Sequence, residues 1–328
     1  MKNHIFIGGS ILLSLFFFNC TSTQSNQKDD YFSIVSPEDN LISSSKISFG
    51  RKLFFDKRLS VNNTVSCASC HLPELAFSDG KIFSDGVLGR KTTRNSPTLL
   101  NSAFLPTVMF DAHLTTLEKQ VIVPIQEHSE MDMNMLDLLK KLKKIPEYNQ
   151  LANEIYNRDF DAWVLTRAIA SFERSLISDQ SPFDKYYYGK DLNAMNQSEV
   201  RGWILFSEKL YCTQCHPAPY FTNNLAINNG LYENYSGDQG RYRVIHDSSN
   251  IGSFKVPTLR NINLTHPYMH DGSLSDLNSV IEHYMSGGKN HFNKDQRIIP
   301  FNFSDTEKED LIHFLEALTD TSYMVDFR

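Results

Sequence analysis

Cys67-Ala-Ser-Cys70-His71 and Cys212-Thr-Gln-Cys215-His216 are the two stretches on which the reading of this chain turns. Each sets two thiols three positions apart and places an imidazole directly after the second. Cys-x-x-Cys-His is the attachment signature of a c-type haem, because the two thiols can reach its two vinyl groups while the adjoining His meets the iron from one face. A zinc ribbon needs its two Cys-x-x-Cys knuckles far closer together. A thioredoxin-like pair would lie among alternating strands and helices, and neither motif does. Structural disulfides leave a His in the same place twice unexplained. Two covalently held haems are therefore expected, with His71 and His216 as proximal ligands.

The duplication extends outward from the motifs. Gly50-Arg-Lys-Leu53-Phe54 precedes the first and Gly202-Trp-Ile-Leu205-Phe206 the second, each with helical spacing of its apolar residues. A closing amphipathic helix follows each motif. One carries Leu165, Ile169, Phe172 and Leu176; the other carries Leu311, Phe314, Leu315 and Leu318 and opens with the capping-box sequence Ser304-Asp-Thr-Glu307. An opening helix crossing a closing helix with haem between them is the layout of a class I cytochrome c domain. The expected fold is all-α, with two such domains over residues 45–180 and 181–328. Ser178–Gln197, with Pro182 and Gly189, reads as the linker between them. Trp163 and Trp203 fall within helical patterns and read as core, and Met131, Met133 and Met135 read as adaptable packing.

The rest of the composition bounds the function. The chain has 328 residues, 41% hydrophobic and 21% charged, which excludes collagen-like, disordered and disulfide-dense classes. A net charge of −6 gives no support to nucleic-acid binding. Lys2 followed by an apolar run from Ile5 to Phe18 has the shape of a secretory signal. The fifth cysteine, Cys20, stands where a bacterial lipoprotein carries its lipid, although Phe18-Asn19 departs from the usual small residues there. Residues 1–20 are thus expected to direct export, and 21–44 to form a flexible tether. The expected location is the periplasm, with a lipid on Cys20 as the one membrane attachment.

The motif series identifies a resemblance. Phe49-Gly-Arg-Lys-Leu-Phe-Phe-Asp-Lys-Arg-Leu-Ser60, Arg94-Asn-Ser-Pro-Thr-Leu-Leu-Asn101, Val256-Pro-Thr-Leu-Arg260-Asn and Pro267-Tyr-Met-His-Asp-Gly272, with both haem motifs in order, resemble the bacterial di-haem cytochrome c peroxidase superfamily, MauG-like branch. The likeness runs from about residue 45 to the end of the chain. It implies an N-terminal haem that reacts with hydrogen peroxide and a C-terminal haem that passes electrons to it. The electrons would come from a small cytochrome or cupredoxin. A MauG-like oxidase acting on a protein substrate, and a non-catalytic electron-transfer cytochrome, are the alternatives. A homodimer is compatible with the resemblance.

The same resemblance places Gln120, Pro124 and Glu130 around the distal face of the first haem, with Glu130 as acid–base catalyst. A carboxylate in a dry pocket suits that task because desolvation raises its pKa toward the working pH. The bland reading is that Glu127 or Glu130 only caps a helix start near Met131. Relatives that block the first iron carry a His seven residues before the Arg of Arg-Asn-Ser-Pro; here that position is Val87, so an open first iron is expected. The second distal ligand falls fourteen residues after His270, at Tyr284, with Met285 beside it as the alternative. A phenolate would lower the potential and a thioether raise it. Phe110 stands where relatives often have a relay Trp, which puts hole-hopping there in doubt. Calcium is implied at Asn95, Thr265 and Pro267, whose hard oxygens suit it. Arg94 and Arg260 are candidates to pair with haem propionates.

Overall fold

Two helix crossings carry the architecture of the computed structural model, which describes residues 31–327. The expected export signal, Cys20 and the start of the tether lie outside the described residues. Among them, α1 spans Ser44–Phe54, α2 Leu117–Gln120, α3 Ile122–Gln126, α4 Met135–Leu142, α5 Pro146–Tyr156 and α6 Ala162–Arg174. They continue with α7 at Pro182–Tyr187, α8 at Gln197–Ile204, α9 at Tyr242–Ile245, α10 at Leu277–Met285 and α11 at Asp305–Glu316. Two short strands, β1 (Ala226–Ile227) and β2 (Phe254–Lys255), pair antiparallel, with Ala226 opposite Lys255. The protein is mostly helical.

In the first half α1 packs across α6, and in the second α8 packs across α11. The glycine shared by the two sequence repeats sits at each crossing. A Cβ on Gly50 would overlap the Ala168 carbonyl, and one on Gly202 would overlap that of Asp310. Only a bare backbone permits such an approach. Each crossing shields an aromatic-rich core. Phe49, Leu53, Phe54, Phe77, Leu165, Ile169 and Phe172 fill the first; Phe183, Phe206, Phe221, Phe314 and Leu318 fill the second. Trp163 and Trp203 pack against these cores, as expected. Ser304 and Glu307 form the capping box that starts α11. At the end of α8 the backbone loosens into a π-helical turn over Leu205–Lys209, just before the second motif.

The repeat reaches single hydrogen bonds. Thr98 Oγ1 donates to Ala76 O, and Thr258 Oγ1 donates to Tyr220 O. Asn101 and Asn261 both adopt left-handed backbone, at φ 60° and 58°, and both reach Ser178. Further on, Val108 bridges Leu114 just as Tyr268 bridges Leu274, which aligns Asp111 with Asp271.

Three boundaries differ from the sequence expectation. Residues 31–44 are not a free tether: Phe32 packs on Phe104 and Tyr220, and buried Asn40 donates to Glu118 Oε1 at 2.8 Å. Ser178–Gln197 is not a solvated linker either. Ser178, Ser181, Phe183 and Asp184 are buried, because this stretch supplies the contact where the two repeats meet. Finally, the end of the chain returns to the first half, where Tyr323 joins the first core and its hydroxyl donates to Pro73 O at 3.0 Å.

Candidate active site

Each Cys-x-x-Cys-His motif is a short 3-10 turn that bends the imidazole back over its own backbone. His71 N donates to Cys67 O at 3.0 Å and His216 N to Cys212 O at 2.8 Å. The Nδ1–H of His71 donates to Phe77 O at 2.8 Å, and that of His216 to Phe221 O at 2.9 Å. A carbonyl can only accept, so each Nε2 keeps its lone pair, the arrangement a metal-ligating imidazole needs. Phe77 and Phe221 present those carbonyls from left-handed backbone, at φ 57° and 52°. Burial pulls both imidazole pKa values down, His216 to about 4, which keeps the ligating neutral form. Among the described residues, the four motif cysteines form no disulfide with one another. Burial pushes Cys70 up to about 11 and Cys212 up to about 12, so neither is a reactive thiolate. Paired unreactive thiols beside an oriented neutral imidazole fit haem attachment and disfavour dithiol redox chemistry.

Glu130 is the distinctive group of the first half. Burial, with Glu127 adding to it, raises its carboxyl to about 7. Its charge acts on both Cys67 and Cys70, so it faces the first motif. Its backbone carbonyl accepts from Val87 N at 2.9 Å, and Met131 N donates to Pro124 O at 3.2 Å. Gln120 and Pro124 lie one turn apart across the helical junction at Val121 and share a face. The structure therefore brings Pro124, Glu130 and Val87 together. Val87 is fully buried, and its side chain offers no ligating atom.

The second half fills the corresponding place differently. Counting from the aligned Asp111 and Asp271, Pro124 and Tyr284 occupy the same register, each followed by an apolar residue. Tyr284 is half-buried on α10, where desolvation raises its pKa and the nearby Cys215 and Cys212 raise it further. Its hydroxyl lies 3.4 Å from Asn229 Nδ2. Met285 packs against the second core.

Arg94 and Arg260 have partners other than the expected propionates. Arg94 holds Asp238 and Asp111, at 2.6 and 2.8 Å, and so ties the loop around Asp238 to the first half. Arg260 is 1% exposed and grips Asp184 through two nitrogens, at 2.7 and 2.9 Å, while its Nε donates to Pro219 O. A buried guanidinium requires a carboxylate close by, and the protein supplies one in each case. Lys255, which the sequence reading passed over, is a desolvated cation of a different kind. Among the described residues its ammonium has no hydrogen-bonding or ionic partner, and burial draws its pKa down to about 8. Its charge acts on His216. A haem propionate beside His216 would fit that unpaired cation. Nothing in the sequence marks this lysine, since a lone Lys ordinarily reads as surface.

Glu173 was also missed. It is 4% exposed on α6, its Oε2 has no partner, burial lifts its carboxyl to about 8, and its charge acts on Cys67. The available signal was a Glu following Phe172 on the buried side of a helix. For the implied calcium, Asn95 is buried and gives its Nδ2 to Lys81 O at 2.7 Å, leaving Oδ1 without a protein partner among the described residues. Asn95 N also donates to His270 O at 2.8 Å, which brings it against the segment of Thr265 and Pro267.

Residues 44–192 match the family model for di-haem cytochrome c peroxidase. The chain is 35% identical to the methylamine utilization protein MauG of Methylophilus methylotrophus over 291 residues, covering 87% of this chain and 86% of that protein. The chain belongs to the di-haem cytochrome c peroxidase family. It is 31% identical to the cytochrome c551 peroxidase of Nitrosomonas europaea, over 94% of this chain and 89% of the relative. The crystal structure of a MauG-like protein associated with microbial copper homeostasis superposes with a TM-score of 0.83 at 32% identity, covering 89% of this chain and 94% of that one. Membership of the family brings two c-type haems and makes this chain an oxidoreductase of the cytochrome c peroxidase type.

Proposed function

We propose that this protein is an exported di-haem peroxidase that reduces hydrogen peroxide to two waters. Two electrons and two protons are consumed per turnover, the electrons arriving from a small redox protein through the second haem. Each half is a class I cytochrome c-like unit, residues 45–180 peroxidatic and 181–328 electron-transferring. His71 and His216 would hold the two haem irons as proximal ligands, and Tyr284 would be the second ligand of the C-terminal one. When bound, the first haem supplies the redox centre at which the O–O bond is cleaved.

The observation that carries this reading is Glu130: a desolvated carboxyl, pushed up to about 7, whose charge acts on both cysteines of the first motif. A group with a pKa near the working pH can both accept and return a proton. Glu130 takes the proton of the peroxide oxygen nearer the iron and delivers it to the departing one. Val87 and Pro124 keep the approach apolar, and Gln120 orients the peroxide from the same helix face. The test is peroxide turnover by the oxidised protein, without prior reduction, for wild type and Glu130→Gln. Unchanged turnover in the variant removes Glu130 from the mechanism. Two low-spin ferric EPR signals in the resting protein would mark a passive electron carrier instead.

A second reading is favoured by one observation, the desolvated Tyr284 beside the cysteines of the second motif. An anionic phenolate stabilises oxidised iron, which suits a MauG-like oxidase that modifies a protein substrate using peroxide. Calcium held by Asn95 Oδ1 and the carbonyls of Thr265 and Pro267, and lipidation at Cys20 for membrane anchoring in the periplasm, complete the proposal.

A further inference from the structure

Three tyrosines lead from the second motif to the surface. Tyr284 and Tyr235 are joined through adjacent residues: the Tyr284 hydroxyl lies 3.4 Å from Asn229 Nδ2, and the Tyr235 hydroxyl reaches the side chain of Asn228. Tyr235 is 4% exposed, and its hydroxyl donates to Asn228 Oδ1 at 3.0 Å. Its ring lies so close over Gly252 that any side chain there would overlap it. Tyr232 follows, its ring centroid 5.8 Å from that of Tyr235. It is 38% exposed and opens onto a cavity of about 580 Å³ lined also by Asp238, Arg243, His270 and Asp271. The hydroxyl of Tyr232 donates to Asp271 Oδ2 at 2.6 Å. Burial opposes ionisation of Asp271, yet its hydrogen bonds from Tyr232 and Ser273 hold its pKa below the ordinary carboxylate value. An exposed phenol that is bonded to an ionised carboxylate and in ring contact with a buried phenol is equipped to lose an electron, because its proton has somewhere to go.

We propose that Tyr232, coupled inward through Tyr235 to Tyr284, is an electron port at which a small one-electron reductant in this cavity feeds the second half. The proposal rests on the peroxidase reading above, since peroxide is the terminal oxidant. When the protein has been oxidised by peroxide, Tyr232 passes one electron inward through Tyr235. Its O–H bond breaks as the proton crosses to Asp271, and a tyrosyl radical remains. One electron from the reductant then restores the phenol, the proton returning from Asp271. The cavity volume lies in the range of small-molecule sites, and Asp238, Arg243 and Asp271 place charge on its wall.

Rapid-freeze EPR of the full di-haem protein, mixed with peroxide without any donor, tests the port. The expected result is a tyrosyl signal in wild type that falls at least several-fold in Tyr232→Phe and in Asp271→Asn and is quenched by ascorbate in wild type. Both ferric haem signals at rest serve as the folding control. If Tyr232→Phe fails that control, Asp271→Asn carries the same expectation. An undiminished signal in the folded variant, or a haem optical response to peroxide with no tyrosyl signal in wild type, overturns the port and leaves the peroxidase reading standing. No haem response to peroxide at all overturns both.

Discussion

The two halves of the molecule share a frame and differ at the place where a second ligand can approach. Both set a glycine at a helix crossing, a His braced by a left-handed Phe carbonyl, and an Asn reaching Ser178. On that common frame the first half carries Pro124, Val87 and Glu130 with its pKa raised to about 7, whereas the second carries Tyr284 beside Asn229. A proline side chain has no lone pair to offer and a tyrosine does. The pair thus shows a duplicated scaffold that keeps its backbone frame while the side chains near each motif differ, and the proposed division into a reactive site and a relay rests on that difference.

The largest effect is expected where the halves differ in how they meet. Arg260 occupies the register of Leu100, so Arg260→Leu makes the second half resemble the first while stranding buried Asp184. Removing one partner of a buried pair costs about 3–5 kcal/mol, and denaturant unfolding should show a loss of that size. A loss below about 1 kcal/mol would mean that the halves do not depend on this pair.

Glu130→Gln should lower peroxide turnover by about 10²-fold, the usual worth of a positioned acid–base group. Wild-type reaction of the oxidised protein with peroxide should also rise with pH through about 7, as Glu130 becomes the carboxylate that accepts the first proton. Stopped-flow mixing across that range should find the rise absent in the variant.

Val87→His tests the asymmetry from the other side, by giving the first half a ligating side chain. Its resting EPR should lose the high-spin ferric signal and gain a second low-spin one, and peroxide reaction of the oxidised protein should slow by about tenfold or more. A spectrum identical to wild type would show that position 87 does not reach the iron.

The smallest effect is assigned to Glu173, the unpartnered carboxyl of the first half. Its folded pKa is raised to about 8, so the folded state holds a proton that the unfolded chain releases near the ordinary Glu value. The stability cost is therefore absent below about 4.5 and grows as pH rises toward 8. Glu173→Gln should stabilise the protein at pH 8 by about 1 kcal/mol or more and leave it unchanged at pH 4. Thermal melts at the two pH values decide it.

Much of this was legible in the sequence because the informative features are local. Haem attachment needs two thiols and an imidazole at fixed spacing, and Leu165, Ile169 and Phe172 announce a buried helix face by periodicity alone. Boundaries were less legible. Residues 31–44 look polar enough for a tether, yet Phe32 and Asn40 find partners more than seventy positions away. Ser178 and Asp184 have the composition of a linker, but each is buried by contacts that only the docking of the two repeats creates.

The sequence by itself determined which residues can carry chemistry: two haem-attachment motifs, a duplicated helical frame, a candidate glutamate and a candidate tyrosine, and the family to which the chain belongs. Tertiary structure alone decided the charge state and the partners of those residues. Desolvation and ionic pairing depend on everything within a few ångströms, whatever its place in the chain. Glu130 is raised to about 7, Arg94 and Arg260 are bound by carboxylates, and Lys255 lacks an anion because of neighbours that no motif records.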